Sequence, residues 1–303
     1  MIPVFLAIAP VFIMIILGYG LRRGGIPSTE FWNLNDRLVY WVLMPALFFV
    51  KISEADLTSP EIISLSVILY GSFFAAVFMG LIISLRWNAA DGTSIMQGSA
   101  RFNTFIALAL AEALFGLPGL QIAVLGAAIL VPVVNVTIVS VMSMRLGSGK
   151  GGLIGELIRN PLILSILAVL CFNFLGWNAV PILHDVTQIL GQAALPIMLM
   201  CVGANLKLRG LQAELAPVLG SMFGKFIVFP MSAVLIIYVV QPAQLTAEVA
   251  IIFAALPVGV ATYTLAREMG GNAGMMATII TVQTLLSFIT LPFTLLLARL
   301  VLV

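Results

Sequence analysis

Polar groups suited to holding a solute are scarce in this sequence, and they gather in two short stretches. The first is Gln97-Gly98-Ser99-Ala100-Arg101-Phe102-Asn103-Thr104, which leads into the run Phe105-Ile106-Ala107-Leu108-Ala109-Leu110-Ala111-Glu112. The second is Ala254-Ala255-Leu256-Pro257-Val258-Gly259-Val260-Ala261-Thr262-Tyr263, with a proline and a glycine almost adjacent. Proline removes a backbone donor and glycine weakens a helix, so an unwound point is expected near Pro257. Helices broken inside a membrane expose half-helix N-termini that attract anions, while the freed carbonyls attract cations. The chemistry in view is therefore reversible binding of a small charged solute. The competing reading is that Pro257 only kinks a packing helix and Asn103 bonds a neighbouring backbone.

Few other side chains qualify. Glu112 lies nine positions after Asn103, about 13 Å along a continuous helix. It reads equally as a proton or cation site and as an exposed terminal carboxylate. Arg101 is expected to anchor the cytoplasmic end of its helix, and Lys225 to snorkel toward the cytoplasm from a third of the way into its apolar run. Gln283 and Asn135 fall deep in apolar runs, where interhelical glue is the favoured role over a polar pathway. Arg267-Glu268 reads as an interfacial pair. An intramembrane metalloenzyme or haem subunit needs several histidines, whereas the single histidine, His184, stands beside Asp185 in a connection. Cys171 and Cys201 lie in apolar runs, where a thiol behaves as a small hydrophobe. No catalytic residue, metal site or cofactor is expected, and the chain is not read as an enzyme.

These groups must be positioned by membrane helices. Of 303 residues, 62% are hydrophobic and 9% charged, against about 25% charged in soluble proteins. The net charge of +2 comes from 14 Lys and Arg scattered singly, which is no footprint for nucleic acid. Each helical crossing takes about 20 apolar residues, so about ten crossings fit and no extramembrane domain does. The candidate crossings are Pro3–Leu21, Val39–Ile52 (extended back to Trp32), Ile62–Leu85, Ile95–Phe115 and Leu120–Met144, then Pro161–Leu175, Val186–Leu206, Leu215–Val240, Ala247–Ala266 and Met275–Leu300. Asn160-Pro161 is a start signal for the sixth, since Asn caps and Pro fits the first turn. Arg22 and Arg23 follow the first apolar run rather than precede it, so that segment is expected to be retained and not cleaved as a signal peptide.

Arg22, Arg23, Arg37, Arg86, Arg101, Arg145, Lys150, Arg159, Lys207, Arg209 and Arg267 fall on the odd-numbered connections, which places those in the cytoplasm. The even connections hold Lys51 among the acids Glu54, Asp56, Glu61, Glu112, Asp185 and Glu248. Both termini are then extracytoplasmic. Five helices is an odd number, so two similar five-helix halves in tandem point opposite ways, the inverted-repeat plan of secondary transporters. Mid-helix Pro45 and Pro196, at the second position of each half, support it. The halves are 1–146 and 156–303, joined by a Gly-rich cytoplasmic linker at 147–155 that contains Gly147–Gly152. The fold class expected is an all-α integral membrane protein of about ten helices in two inverted repeats. A carrier is favoured over a passive channel, because an inverted repeat with broken helices suits alternating access.

Leu34-Asn35-Asp36-Arg37-Leu38-Val39 followed by Met44-Pro45-Ala46-Leu47-Phe48-Phe49 resembles the second helix of the auxin efflux carrier family, and Arg101-Phe102-Asn103-Thr104-Phe105-Ile106 is similar to that family's fourth-helix motif. Asn160-Pro161-Leu162-Ile163 matches the start of its sixth helix, and Leu195-Pro196-Ile197-Met198-Leu199 through Gly203-Ala204-Asn205-Leu206 its seventh. Ala255-Leu256-Pro257, Tyr263, Leu265-Ala266-Arg267-Glu268 and Leu291-Pro292 complete a set in order over nearly the whole chain. The resemblance implies the general fold of bile acid/sodium symporters, with scaffold and transport domains and with helices four and nine broken and crossing. It implies a prokaryotic member, lacking the long hydrophilic loop of the large plant carriers, that moves a small organic anion such as a carboxylate or auxin-like compound across the plasma (inner) membrane. A sodium-coupled symporter of the related fold is the alternative, and a homodimer is an assembly open to it. By the family pattern Asn103 and Thr104 lie at the substrate site and Pro257, Val258 and Gly259 form the second crossover; with Tyr263 these are the expected substrate-binding residues, and Glu112, from its position, is the candidate for proton or cation coupling. The chain departs from the pattern in having Ala107-Leu108-Ala109 where the fourth helix usually has Gly-x-Pro, and Thr262 where plant carriers have a second proline. Alanine is the best helix former, so nothing local demands a break at Ala107–Ala109.

Overall fold

Where every backbone amide must find a partner inside the segment, apolar runs fold as helices. The computed structural model describes residues 2–53, 60–147, 161–175, 181–208 and 215–302, and its regular structure there is entirely helical. The remaining part of the Gly-rich linker, the Asn160 cap and the charges Glu54, Asp56, Lys150, Arg159 and Arg209 lie outside the described residues. Among the described residues, six stretches are long and apolar enough to cross a membrane: Val4–Arg23, Glu61–Ser84, Ala89–Leu146, Ile182–Ala204, Leu215–Val240 and Ala273–Leu300.

Helix α1 covers Ile2–Arg23, followed by α2 (Thr29–Leu38), which Ser28 caps by accepting from Phe31 N–H. A π turn at Val39–Leu43 joins α2 to α3 (Met44–Ser53), so the expected second segment is one helix with a widened turn. Next come α4 (Pro60–Ser84), α5 (Ala89–Ala100) and α6 (Thr104–Leu146). Gly116 divides α6 with φ 64° and ψ −155°, a conformation open to glycine alone at no steric cost. The second half runs α7 (Pro161–Phe174), α8 (Pro181–Ala204), α9 (Leu215–Phe223), a π turn at Gly224–Val228 and α10 (Phe229–Val240). It ends with α11 (Gln244–Ala255), α12 (Ala261–Met269) and α13 (Ala273–Leu302). Both π turns end two residues before a proline, Pro45 and Pro230. A proline ring crowds the carbonyl four residues back, and a turn opened to i→i+5 bonding relieves that crowding.

Two bundles follow from which helices touch. Helices α1, α3, α7 and α8 pack on one another, while α4, α5, α9, α10, α11 and α13 form a second group, with α6 touching both. The α1–α8 contact is the most extensive among the described residues. Glycines make it close: a Cβ at Gly18 would fall on the Met200 backbone, and one at Gly203 on the Ile15 backbone. Small residues that let helix backbones meet are the usual means of association where water provides no hydrophobic drive.

Candidate functional site

The site is built where two helices stop and restart. Helix α5 ends at Ala100, Arg101 continues in extended conformation (φ −70°, ψ 154°), and α6 begins at Thr104 with Asn103 as its cap. Across from it, α11 ends at Ala255, Leu256 is extended (φ −66°, ψ 150°), and α12 begins at Ala261. The second interruption stands where Pro257 and Gly259 place it. The first stands at Arg101–Asn103, upstream of Ala107-Leu108-Ala109, which are buried within continuous helix.

The two interruptions are bonded together. Asn103 N–H donates to the Pro257 carbonyl at 2.9 Å. Gly259 lies against the Phe102 carbonyl so closely that a Cβ there would sit 2.8 Å from that oxygen. Gln283, on α13, joins both: its Oε1 accepts from Val258 N–H at 3.0 Å, and its Nε2 donates to the Gly98 carbonyl at 2.9 Å. Interhelical glue, the role expected of Gln283, is the role it has. Thr262 Oγ donates to the Gly259 carbonyl at 2.6 Å, satisfying one acceptor freed by the break. We expect Gln283→Leu to leave the Val258 N–H and Gly98 carbonyl buried without this partner, at a cost of about 1–3 kcal/mol per group. Thermal unfolding of the purified variant checks this, and an unchanged midpoint would mean the tie carries no stability.

Asn103 does two things at once. Its Oδ1 accepts from Phe105 N–H at 3.1 Å and Ile106 N–H at 3.3 Å, which caps α6. Those amides are then committed to the side chain, so the half-helix N-terminus has fewer free donors than an uncapped one. The Nδ2 end of the same side chain is buried and has no hydrogen-bond partner. Gln97, on the last turn of α5, is fully buried with neither end of its amide partnered. Val260, at the start of α12, provides no side-chain cap.

Of the residues expected at the site, the structure brings Asn103, Pro257, Val258 and Gly259 together, with half-buried Thr104 opening α6. Tyr263 is half-buried on α12, and Lys207 Nζ stands 4.1 Å from its ring centroid. Glu112 is exposed and lines a cavity of about 260 Å³ with Lys51, Gln188, Gln192 and Pro196. A larger cavity of about 380 Å³ is lined by Tyr19, Arg22, Arg23, Thr29, Asn205 and Lys207. Around it Arg22 donates to Asn205 Oδ1 at 2.9 Å, and Asn205 Nδ2 donates to Asp36 at 2.8 Å.

Lys225 corrects an expectation. It does not snorkel: the residue is completely buried in the π turn, with Nζ lacking a hydrogen-bond partner. It faces aromatic rings instead, with Nζ 4.1 Å from the Phe229 ring centroid and 6.0 Å from that of Phe102. A ring face returns about 2 kcal/mol to a desolvated ammonium, whereas burying the ion costs several kcal/mol even after relaxation. Its distance from the end of the apolar run pointed to snorkelling; the packing of α4, α5 and α11 around the π turn decides otherwise.

Comparison with known proteins bears on what such a site serves. Residues 151–295 match the family model described as "Membrane transport protein". A protein of Methanothermobacter thermautotrophicus named "Uncharacterized transporter" is 23% identical over 295 residues, covering 93% of this chain and 94% of its own. One of Rhizobium meliloti named "Putative malonate transporter" is 27% identical over 313 residues, covering 96% of this chain and 95% of its own. Its apolar helices mark a multi-pass membrane protein, and over these matches the chain is similar to prokaryotic membrane transporters, in keeping with the auxin efflux carrier motifs that it resembles.

Proposed function

We propose that this protein is a carrier for a small organic anion, with a carboxylate of the malonate class as the first candidate, working by alternating access in the plasma membrane. The observation that carries the reading is the bonded meeting of two helix interruptions, with the Asn103 Nδ2 donor buried there and unpartnered. An amide donates to a carboxylate without a fixed charge that would trap it. The positive lining of the larger cavity, Arg22, Arg23 and Lys207, supports an anion as the solute, and Lys207 leads from it to Tyr263. The name of the Rhizobium meliloti relative supports the choice of malonate as the first probe.

In this reading about ten crossings form two inverted five-helix repeats, 1–146 and 156–303, with helices four (α5 and the start of α6) and nine (α11 and α12) broken and crossing. The bundle of α1, α3, α7 and α8 is the scaffold, and the other is the transport domain. The Arg and Lys bias puts both termini outside. Asn103, Thr104, Pro257, Val258, Gly259 and Tyr263 form the substrate site, and Glu112 remains a candidate for proton coupling through the smaller cavity.

The test is binding and uptake with purified protein. A ligand that binds only the folded state raises the melting temperature, by about 2.7 kcal/mol of stabilisation at a hundredfold excess over Kd. Malonate and related small aliphatic carboxylates are expected to stabilise the protein, and saturable uptake into proteoliposomes is expected for those that do. Stabilisation only by amines or neutral solutes would remove the anion; a substrate-independent ion current would point to a channel. A strict sodium requirement would favour the symporter.

A further inference from the structure

Lys225 is a buried amine that the proposed amide site leaves without a task. The π turn that carries it packs on α4, α5 and α11, the last two being the helices that stop at the interruptions. Its Nζ faces the ring of Phe102, the residue before Asn103, and that ring packs edge-on at 5.3 Å against Phe253 of α11. A completely buried lysine amine with no hydrogen-bond partner therefore stands beside the junction that holds the unpartnered amide of Asn103. Ring faces do not replace the water that an ammonium loses on burial, and a cation so placed calls for an anion.

We infer that the Lys225 ammonium is a direct ligand of the transported anion and the residue that makes the site prefer a charged solute to a neutral one of the same shape. This rests on the organic-anion reading above. Asn103 then supplies direction, through a donor fixed by its cap, and Lys225 supplies charge. The division suits a carrier, because one flexible ammonium can follow a carboxylate through a movement while a rigid amide sets where it docks. A lysine that served packing alone would do its work through its methylene stem and its contact with Phe229, and charge would not matter to the ligand.

Binding of malonate and of its neutral diamide, malonamide, to the full-length protein separates the two. Lys225→Met and Lys225→Gln keep much of the stem and remove the charge, and Lys225→Arg keeps the charge. Malonate affinity is expected to fall about 10- to 100-fold in the Met and Gln variants, the scale of a lost hydrogen bond to a charged group. Malonamide affinity should hardly move, so the preference for the dianion collapses, whereas Lys225→Arg retains it. Wild-type malonate affinity in the folded Met and Gln variants, or an equal loss of both ligands, would overturn the role of Lys225. If wild type binds malonate and loses it in Asn103→Asp while the lysine variants bind normally, only this inference falls. If wild type binds no carboxylate, the organic-anion reading falls with it.

Discussion

Asn103→Asp is expected to yield a well-folded protein that no longer binds a carboxylate. The reason is the double use of this side chain. Its Oδ1 caps α6 through Phe105 and Ile106, and aspartate caps a helix as well as asparagine does. Its Nδ2, unpartnered in the buried junction, becomes an oxygen that cannot donate. Losing the donor alone removes about 1.5–3 kcal/mol. Two like charges 4 Å apart add up to about 4 kcal/mol of repulsion at an effective dielectric of 20. Asn103→Ala should show the opposite balance, losing about 1 kcal/mol of stability with the cap and suffering only the milder binding loss. Titration calorimetry with malonate, paired with thermal unfolding, reads both quantities. Wild-type affinity in an Asn103→Asp variant whose new carboxyl is ionised would show that Asn103 does not touch the solute.

Gly203→Val is expected to be the most damaging single change to the fold. Any Cβ at this position falls on the Ile15 carbonyl group, and the reciprocal contact at Gly18 leaves α1 no direction in which to yield. Overpacking a core costs about 1–3 kcal/mol and occasionally more. Here the obstacle is backbone rather than a movable side chain, so the upper end applies and the extensive α1–α8 contact must open. Gly20→Val is the control, since a Cβ at Gly20 meets nothing within 4 Å although it sits on α1 close to Gly18. Membrane yield and thermal midpoint should drop for the first and hold for the second. Equal behaviour of the two variants would mean that α1 and α8 separate at no cost.

What was legible in the sequence follows the range over which each feature is determined. The unwinding near Pro257 is a property of a proline and a nearby glycine, and it was readable from those residues alone. The interruption at Arg101–Asn103 has neither, and alanines downstream gave no reason for a break. It is held by partners far along the chain: Pro257 accepts from Asn103, and Gln283 reaches Gly98 across 185 positions. The helix limits were close to the apolar runs, and the division expected between Phe115 and Leu120 falls at the non-helical Gly116 inside α6. Lys225 was misjudged for a related reason. Depth along a helix is visible in a sequence, whereas the neighbours that close around a side chain are not. Glu112 was open between two roles, and its exposed position beside the smaller cavity is compatible with both.

The ties through Gln283 have a mechanical meaning. A hydrogen-bonded triangle linking Gly98, Val258 and α13, closed by the Asn103–Pro257 bond, removes the relative freedom of the two interruptions. The proposed site then behaves as one stiff block with no internal hinge. Any change of the side to which it faces has to come from sliding of that block against α1, α3 and α8, along surfaces that α6 shares with each of them. For such a machine the friction lies at the α6 surface, and side chains there, remote from the solute, would set the turnover rate without altering affinity.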